Sequence, residues 1–109
     1  MSKKDNNKIS FPDLVNFMDL SKSVHVPRRT LLTWHKILSF PAIIPEGKYQ
    51  KLYSLNDCIV ILELFKAEQE KGFKRNYAAL NVRKSDEYKA IVEKLKSKYS
   101  DCEVFLLDS

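Results

Sequence analysis

The sequence predicts a mainly α-helical protein with a small β wing. In five segments of the chain, apolar residues recur three and four positions apart, which places them on one face of a helix. Between the second and third segments, residues 40–53 contain two prolines and the turn pair Glu46-Gly47, which cannot continue a helix. They predict a short two-stranded hairpin, the wing, and residues 102–107 predict one further short strand.

The first two predicted helices follow one another closely. The first covers about residues 11–22, Ser23-Val24-His25 forms a tight connection, and Pro27 is the first position of the second helix, where its missing N–H is tolerated. This is the spacing of a helix-turn-helix. The second helix has a packing side, with Leu31, Trp34 and Leu38, and an exposed, largely basic side, with Arg28, Arg29, Leu32, Thr33 and Lys36.

The third predicted helix begins at Ser54, which together with Asp57 resembles a capping box. Its first two turns are so apolar that we expect them to be buried nearly all round. Gly72 is expected to end the helix in the left-handed conformation, with Phe73 as the hydrophobic contact that accompanies such an end.

The remaining segments predict two more helices and the strand. A short fourth helix is predicted over residues 74–81, with Tyr77 and Leu80 buried. Ser85 can cap a fifth helix, whose apolar stripe is Tyr88, Ile91, Val92, Leu95 and Tyr99. A lone strand over 102–107 is unstable unpaired, so it pairs either with the wing or with its copy in a second chain. Of these two pairings we slightly favour the second, and we therefore expect a homodimer.

The whole net charge of +5 lies in the first half of the chain. Residues 1–53 carry nine Lys/Arg against four Asp/Glu, whereas residues 54–109 carry ten of each. No acidic residue occurs between Asp19 and Glu46. Such a field of one sign favours a polyanionic partner, because phosphate neutralisation supplies most non-specific nucleic-acid affinity. The alternative interpretation is a solvated basic face with no partner.

Other functional classes find little support in the composition. No apolar run approaches the ~18 residues that span a bilayer, and no signal-peptide core follows the basic start, so we expect a soluble, cytoplasmic protein without a membrane partner. Cys58 and Cys102 have no second Cys or His at ligand spacing and are expected to be buried thiols. Without a Gly-rich phosphate loop or a recognisable carboxylate pair, we expect no enzyme activity, no metal or other cofactor and no small-molecule effector.

The order of helix, turn, basic helix, wing and Ser-capped helix resembles the DNA-binding domain of the MerR family of winged-helix regulators. The matching pieces are residues 26–34, which correspond to the recognition helix of that family, residues 51–54 with Asp57 at the junction of wing and helix, and Gly72-Phe73. Four residues depart from the family pattern. Leu32 replaces an arginine that touches DNA, Thr33 a tyrosine, His25 the turn glycine, and Pro27 the Ser/Thr cap. An exposed Leu32 can still meet a thymine methyl group.

The resemblance implies a domain organisation and a function. Residues 1–8 are expected to be a flexible tail, 9–82 the MerR-like winged-helix domain, and 83–109 a C-terminal helix and strand for packing or dimerisation. The implied function is that of a small transcriptional regulator with a preferred duplex DNA sequence, which reads the major groove with helix 27–36 and the DNA backbone with the wing. The expected DNA contacts are Lys22, His25, Arg28, Arg29, Leu32, Thr33, Lys36, Lys48, Gln50 and Lys51.

Three alternatives remain open at this point. The same domain type occurs in phage excisionases and in small terminase subunits, so an architectural DNA-binding protein of either kind fits the same residues. The third alternative is a protein–protein adaptor built on a winged-helix scaffold.

Overall fold

The structure, a computed structural model, describes residues 13–107. Within that range the chain is mainly helical and carries a small four-stranded antiparallel sheet. In chain order the elements are β1 (Leu14–Val15), α1 (Phe17–Val24), α2 (Arg28–Leu38), β2 (Ala42–Pro45), β3 (Leu52–Ser54), α3 (Leu55–Glu70), α4 (Arg75–Lys84), α5 (Asp86–Lys98) and β4 (Cys102–Phe105). No helix in the described range is both long and apolar enough to cross a bilayer.

The strand order of the sheet is β1-β3-β2-β4, and all neighbours are antiparallel. The β2–β3 pair is the predicted hairpin, with Ala42 opposite Tyr53. The C-terminal strand β4 pairs with β2 of the same chain, with Ile43 opposite Val104. Of the two pairings left open by the sequence, the structure therefore has the one with the hairpin.

The C-terminal helix shares the core of the rest of the chain. Its predicted stripe packs inward, because Tyr88, Ile91, Val92 and Leu95 are buried and Tyr99 is partly buried. The same cluster contains residues from α1, α2 and α3, namely Leu20, Leu31, Leu38, Cys58, Ile61 and Phe65. Ser85 caps this helix as predicted, since its hydroxyl accepts a hydrogen bond from the Tyr88 N–H at 3.2 Å.

The first helix begins later than the sequence predicted. Asn16 caps it by accepting a hydrogen bond from the Asp19 N–H at 2.8 Å, so α1 starts at Phe17. The prediction of helix over Leu14 and Val15 was wrong, because these two residues form a strand that pairs with β3. The predicted tail 1–8 and the predicted helix start at residues 11 and 12 lie outside the described residues.

The turn and the second helix differ from the prediction in detail. Val24 still belongs to α1, and His25 ends it with φ +58°, in the left-handed region. Pro27 is the N-cap of α2 and not its first helical residue. Trp34 is only half-buried, and its ring lies edge-on to Phe65 at a centroid distance of 5.7 Å.

The start of α3 is held by an ion pair and not by the predicted capping box. The Ser54 hydroxyl donates to the Asp57 carboxylate at 2.6 Å and makes no bond to the helix backbone. The other Asp57 oxygen accepts from the Lys94 ammonium at 2.6 Å, which connects α3 to α5. The expectation of burial nearly all round the first two turns was wrong, because Asn56 and Val60 are exposed.

The predictions for the end of α3 and for the buried residues of α4 were correct only in part. Gly72 ends α3 with φ +104°, as predicted. Its neighbour Phe73 donates its N–H to the Glu68 carbonyl, but the Phe73 side chain is exposed. In α4, Tyr77 is also exposed and Leu80 only partly buried, because the helix buries its small residues Ala78 and Ala79 together with Val82.

The two cysteines differ in environment. Both are free thiols, as the sequence indicated. Cys58 lies in the core, and burial raises the pKa of its thiol well above the usual range. Cys102 is only partly buried on the edge strand, so its predicted burial was wrong.

Candidate nucleic-acid interface

Helix α2 presents two distinct faces. Leu31, His35 and Leu38 are buried at helical spacing and fix the rotation of the helix on the core. The opposite face is exposed and holds Arg28, Arg29, Leu32, Thr33 and Lys36, the five residues that the sequence analysis assigned to it. The Thr33 hydroxyl donates to the Arg29 carbonyl at 3.2 Å, so this side chain is engaged by its own helix.

The N-terminus of α2 carries an unusual charge arrangement. Arg28 and Arg29 occupy the first turn, which contains no acidic residue, and Pro27 supplies no side-chain cap. A helix N-terminus already carries a partial positive charge and favours anions. The two arginines add to this positive potential instead of compensating it, so a bound anion such as phosphate would stabilise this end of the helix.

The connection between β2 and β3 places a second group of cations beside α2. Gly47 has φ +77° in the turn, and the residues that follow, Lys48, Tyr49, Gln50 and Lys51, are all exposed. The Lys51 ammonium lies 4.7 Å from the centre of the Phe105 ring on β4. This cation–π contact holds Lys51 beside the sheet.

Helix α2 and the hairpin together form one open cleft with a volume of about 540 Å³. Three cations line it, Arg28 and Lys36 from α2 and Lys51 from the hairpin, and no carboxylate does. Its other lining residues are Phe17, Leu32, His35, Tyr49, Tyr53 and Leu107. We call this the α2–hairpin cleft. Its rim is therefore cationic and much of its interior is aromatic or apolar.

His35 is a largely buried residue that lines the cleft. Its ring stacks on Phe40 at a centroid distance of 5.4 Å and meets the rings of Phe17 and Tyr53 at 5.7 and 5.5 Å. Its Nδ1 accepts a hydrogen bond from the Phe40 N–H at 3.0 Å, so this nitrogen carries no proton. Burial, with a smaller contribution from the positive charge of Lys51, lowers the pKa of His35 to about 4.

This lowered pKa predicts a pH dependence of stability. An unfolded His35 has a pKa of 6.5, so the unfolded chain takes up the proton more readily than the folded one. The stabilisation is complete above pH 6.5 and is lost as the pH falls towards 4, by about 3 kcal/mol in total. His35→Asn keeps an acceptor near the Nδ1 position but cannot titrate. Urea unfolding of this variant should show a flatter pH profile than the wild type, and identical profiles would contradict this assignment.

The structure brings four of the ten predicted DNA contacts into the cleft, namely Arg28, Leu32, Lys36 and Lys51. The other six are exposed on the surface of α1, α2 and the turns but do not line the cleft: Lys22, His25, Arg29, Thr33, Lys48 and Gln50. Sequence reasoning missed Tyr49, although an aromatic residue between lysines in a turn was a usable signal. It also missed Phe17 and Leu107, which no local pattern connects to α2.

A second cavity of about 310 Å³ lies between the β2 end of the hairpin and the residues that join α5 to β4. Its lining carries both signs of charge, from Glu46, Lys98 and Asp101. It is therefore less suited to a polyanion than the α2–hairpin cleft.

Comparisons with protein-family models, with curated proteins and with solved structures find no match for this chain.

Proposed function

We propose that this chain binds duplex DNA, with α1, the turn at His25 and α2 acting as a helix-turn-helix and the β2–β3 hairpin acting as its wing. The observation that carries the proposal is the convergence of Arg28, Lys36 and Lys51 on one cleft that no carboxylate lines. Three cations from two separate elements can contact several phosphates of the DNA, and backbone contacts of this kind fix a protein on the duplex.

In this arrangement α2 lies in the major groove and the hairpin follows the adjacent backbone. Arg28 and Lys36 lie on either side of Leu32, which is 40% exposed. Leu32 has no hydrogen-bonding group, so its contact with bases is apolar and is best satisfied by a thymine methyl group. Arg29 is free of the cleft and is positioned for a base edge or for a second phosphate. The biological role that we propose is that of a small transcriptional regulator.

The homodimer expected from the sequence stays a prediction. The apolar stripe of α5 is buried within the chain, and β4 is already paired with β2 along one edge. The buried stripe of α5 therefore offers no apolar face to a second copy, whereas β4 keeps a second edge that pairs with no strand of the described residues. A dimer on paired half-sites would have to use this edge or another surface.

The proposed function is tested by equilibrium binding to a duplex at several salt concentrations, measured by fluorescence anisotropy. If about four to six phosphates are neutralised, the slope of log K against log salt is about −3.5 to −5.5. An adaptor that binds a protein would show no such duplex binding. Absence of binding at low salt, or a slope near zero, would rule out the proposal.

A further inference from the structure

Tyr49 is a fully exposed aromatic side chain at the mouth of the cleft. Its relative exposure is 99%, the highest of the large hydrophobic residues in the described range. It lies between Lys48 and Gln50 in the hairpin connection and lines the cleft together with Lys51. A single exposed aromatic residue is common on protein surfaces and proves nothing alone. Here, however, it lines a cleft whose other exposed apolar side chain is Leu32.

The combination of a cationic rim and an apolar interior defines the chemistry of the occupant. The occupant needs negative charge for Arg28, Lys36 and Lys51, and a flat apolar group for Tyr49 and Leu32. A nucleotide offers both, as phosphate and base. Proteins that hold unpaired nucleotides combine a positively charged groove with aromatic side chains on which bases stack.

An intact duplex satisfies only half of this cleft. Its phosphates can reach the three cations, but its bases are stacked and expose only their edges in the grooves. The cleft is an open groove with a volume of about 540 Å³, so a single thymine methyl group would leave much of its apolar lining uncovered. An unpaired base exposes its faces and can leave the stack at a lower cost than a paired one.

We propose that the α2–hairpin cleft takes up one unpaired nucleobase of a bound DNA strand, with its flanking phosphates on Arg28, Lys36 and Lys51. The base stacks on Tyr49 and lies over Leu32. This inference rests on the proposed DNA-binding function and adds a preference for DNA with a locally open position. Stacking of one base on an aromatic side chain strengthens binding, and we expect a preference of about 10-fold or more for the open position.

The experiment compares three DNAs of otherwise identical sequence. These are a perfect duplex, the same duplex with one unpaired adenine, and that bulged duplex with an abasic site in place of the adenine. The bulged duplex is expected to bind about 10-fold more tightly than either of the others. Placing 2-aminopurine at the bulge adds a second readout, because stacking on Tyr49 would change its fluorescence.

Variants of Tyr49 localise the effect. Tyr49→Ala should remove the preference for the bulge, so that the bulged and the perfect duplex bind with similar affinity; the side chain is exposed, so the fold should survive the change. Tyr49→Phe keeps the ring and should retain the preference. Equal binding of the bulged and abasic duplexes, or a preference that survives Tyr49→Ala, would overturn the inference and leave duplex binding standing. Failure to bind all three DNAs would overturn both proposals and favour an acidic peptide as the occupant.

Discussion

Replacing Arg28, Lys36 and Lys51 together with alanine is expected to weaken duplex DNA binding by about 100-fold at low salt, because three of the proposed phosphate contacts would be lost. All three side chains are exposed and none forms an ion pair that the structure records. The fold should therefore survive. The largest structural loss is the contact of Lys51 with the Phe105 ring, which contributes about 0.5–1 kcal/mol.

A matched control removes the same charge elsewhere. Lys66, Lys89 and Lys96 are exposed on α3 and α5, two helices that contribute no residue to the cleft. Their triple replacement with alanine lowers the net charge by the same amount and should change the affinity only by a few-fold, through the weaker long-range field. Both variants are compared by anisotropy, with circular dichroism as the control for folding. Equal losses of affinity in the two variants would mean that net charge, and not the cleft, binds the DNA.

Deleting residues 86–109 is expected to abolish the cooperative fold. The deletion removes four buried side chains of α5, listed above, and the strand that pairs with β2. Loss of one such core side chain typically costs about 2–5 kcal/mol, whereas the whole stability of a domain is about 5–15 kcal/mol. Polar connections are lost as well, because the Tyr88 hydroxyl donates to the Ser39 carbonyl and the Leu107 N–H donates to the Ser39 hydroxyl.

The deletion is measured by thermal unfolding, followed by circular dichroism. Because a truncated chain can fail for trivial reasons, a point variant accompanies it. Leu95 is almost fully buried, so Leu95→Ala should lower the free energy of unfolding by about 2–5 kcal/mol. The neighbouring Lys94 is not suitable as a control, because its ion pair with Asp57 holds the start of α3. Lys89 is exposed, so Lys89→Ala serves as a control that should leave the stability unchanged. A truncated chain that unfolds cooperatively near the wild-type temperature would show that the tail is a separable unit.

The faces of α2 and α5 could be predicted from the sequence because each helix has one clear apolar stripe. The start of α1 could not, since a two-residue strand has no periodicity and the Asn16 cap competes with a helical pattern that extends upstream. Exposure of Phe73 and Tyr77 was also missed. Hydrophobicity alone indicates that a residue can be buried, and not that the neighbouring elements leave room for it.

The cleft was predictable only in part, because its lining residues come from elements that are far apart in the sequence. Local spacing identified Arg28, Leu32 and Lys36 on one helix face, and the turn signal identified the lysines of the hairpin. The approach of the hairpin to α2 depends on long-range pairing, in which β2 lies between β3 and β4. Pairing of β4 with β2, and the resulting contact of Phe105 with Lys51, connects residues that are far apart in sequence and follows no local pattern.

In the proposed function, the cations of the α2–hairpin cleft neutralise DNA phosphates. The most direct test is a salt titration of duplex binding for the wild type, the cleft triple variant and the control triple variant side by side. Each lost phosphate contact reduces the slope of log K against log salt by about 0.9, so the cleft variant should have a slope smaller in magnitude by about 2.7. The control variant should keep the wild-type slope. Parallel lines for the wild type and the cleft variant would contradict the claim.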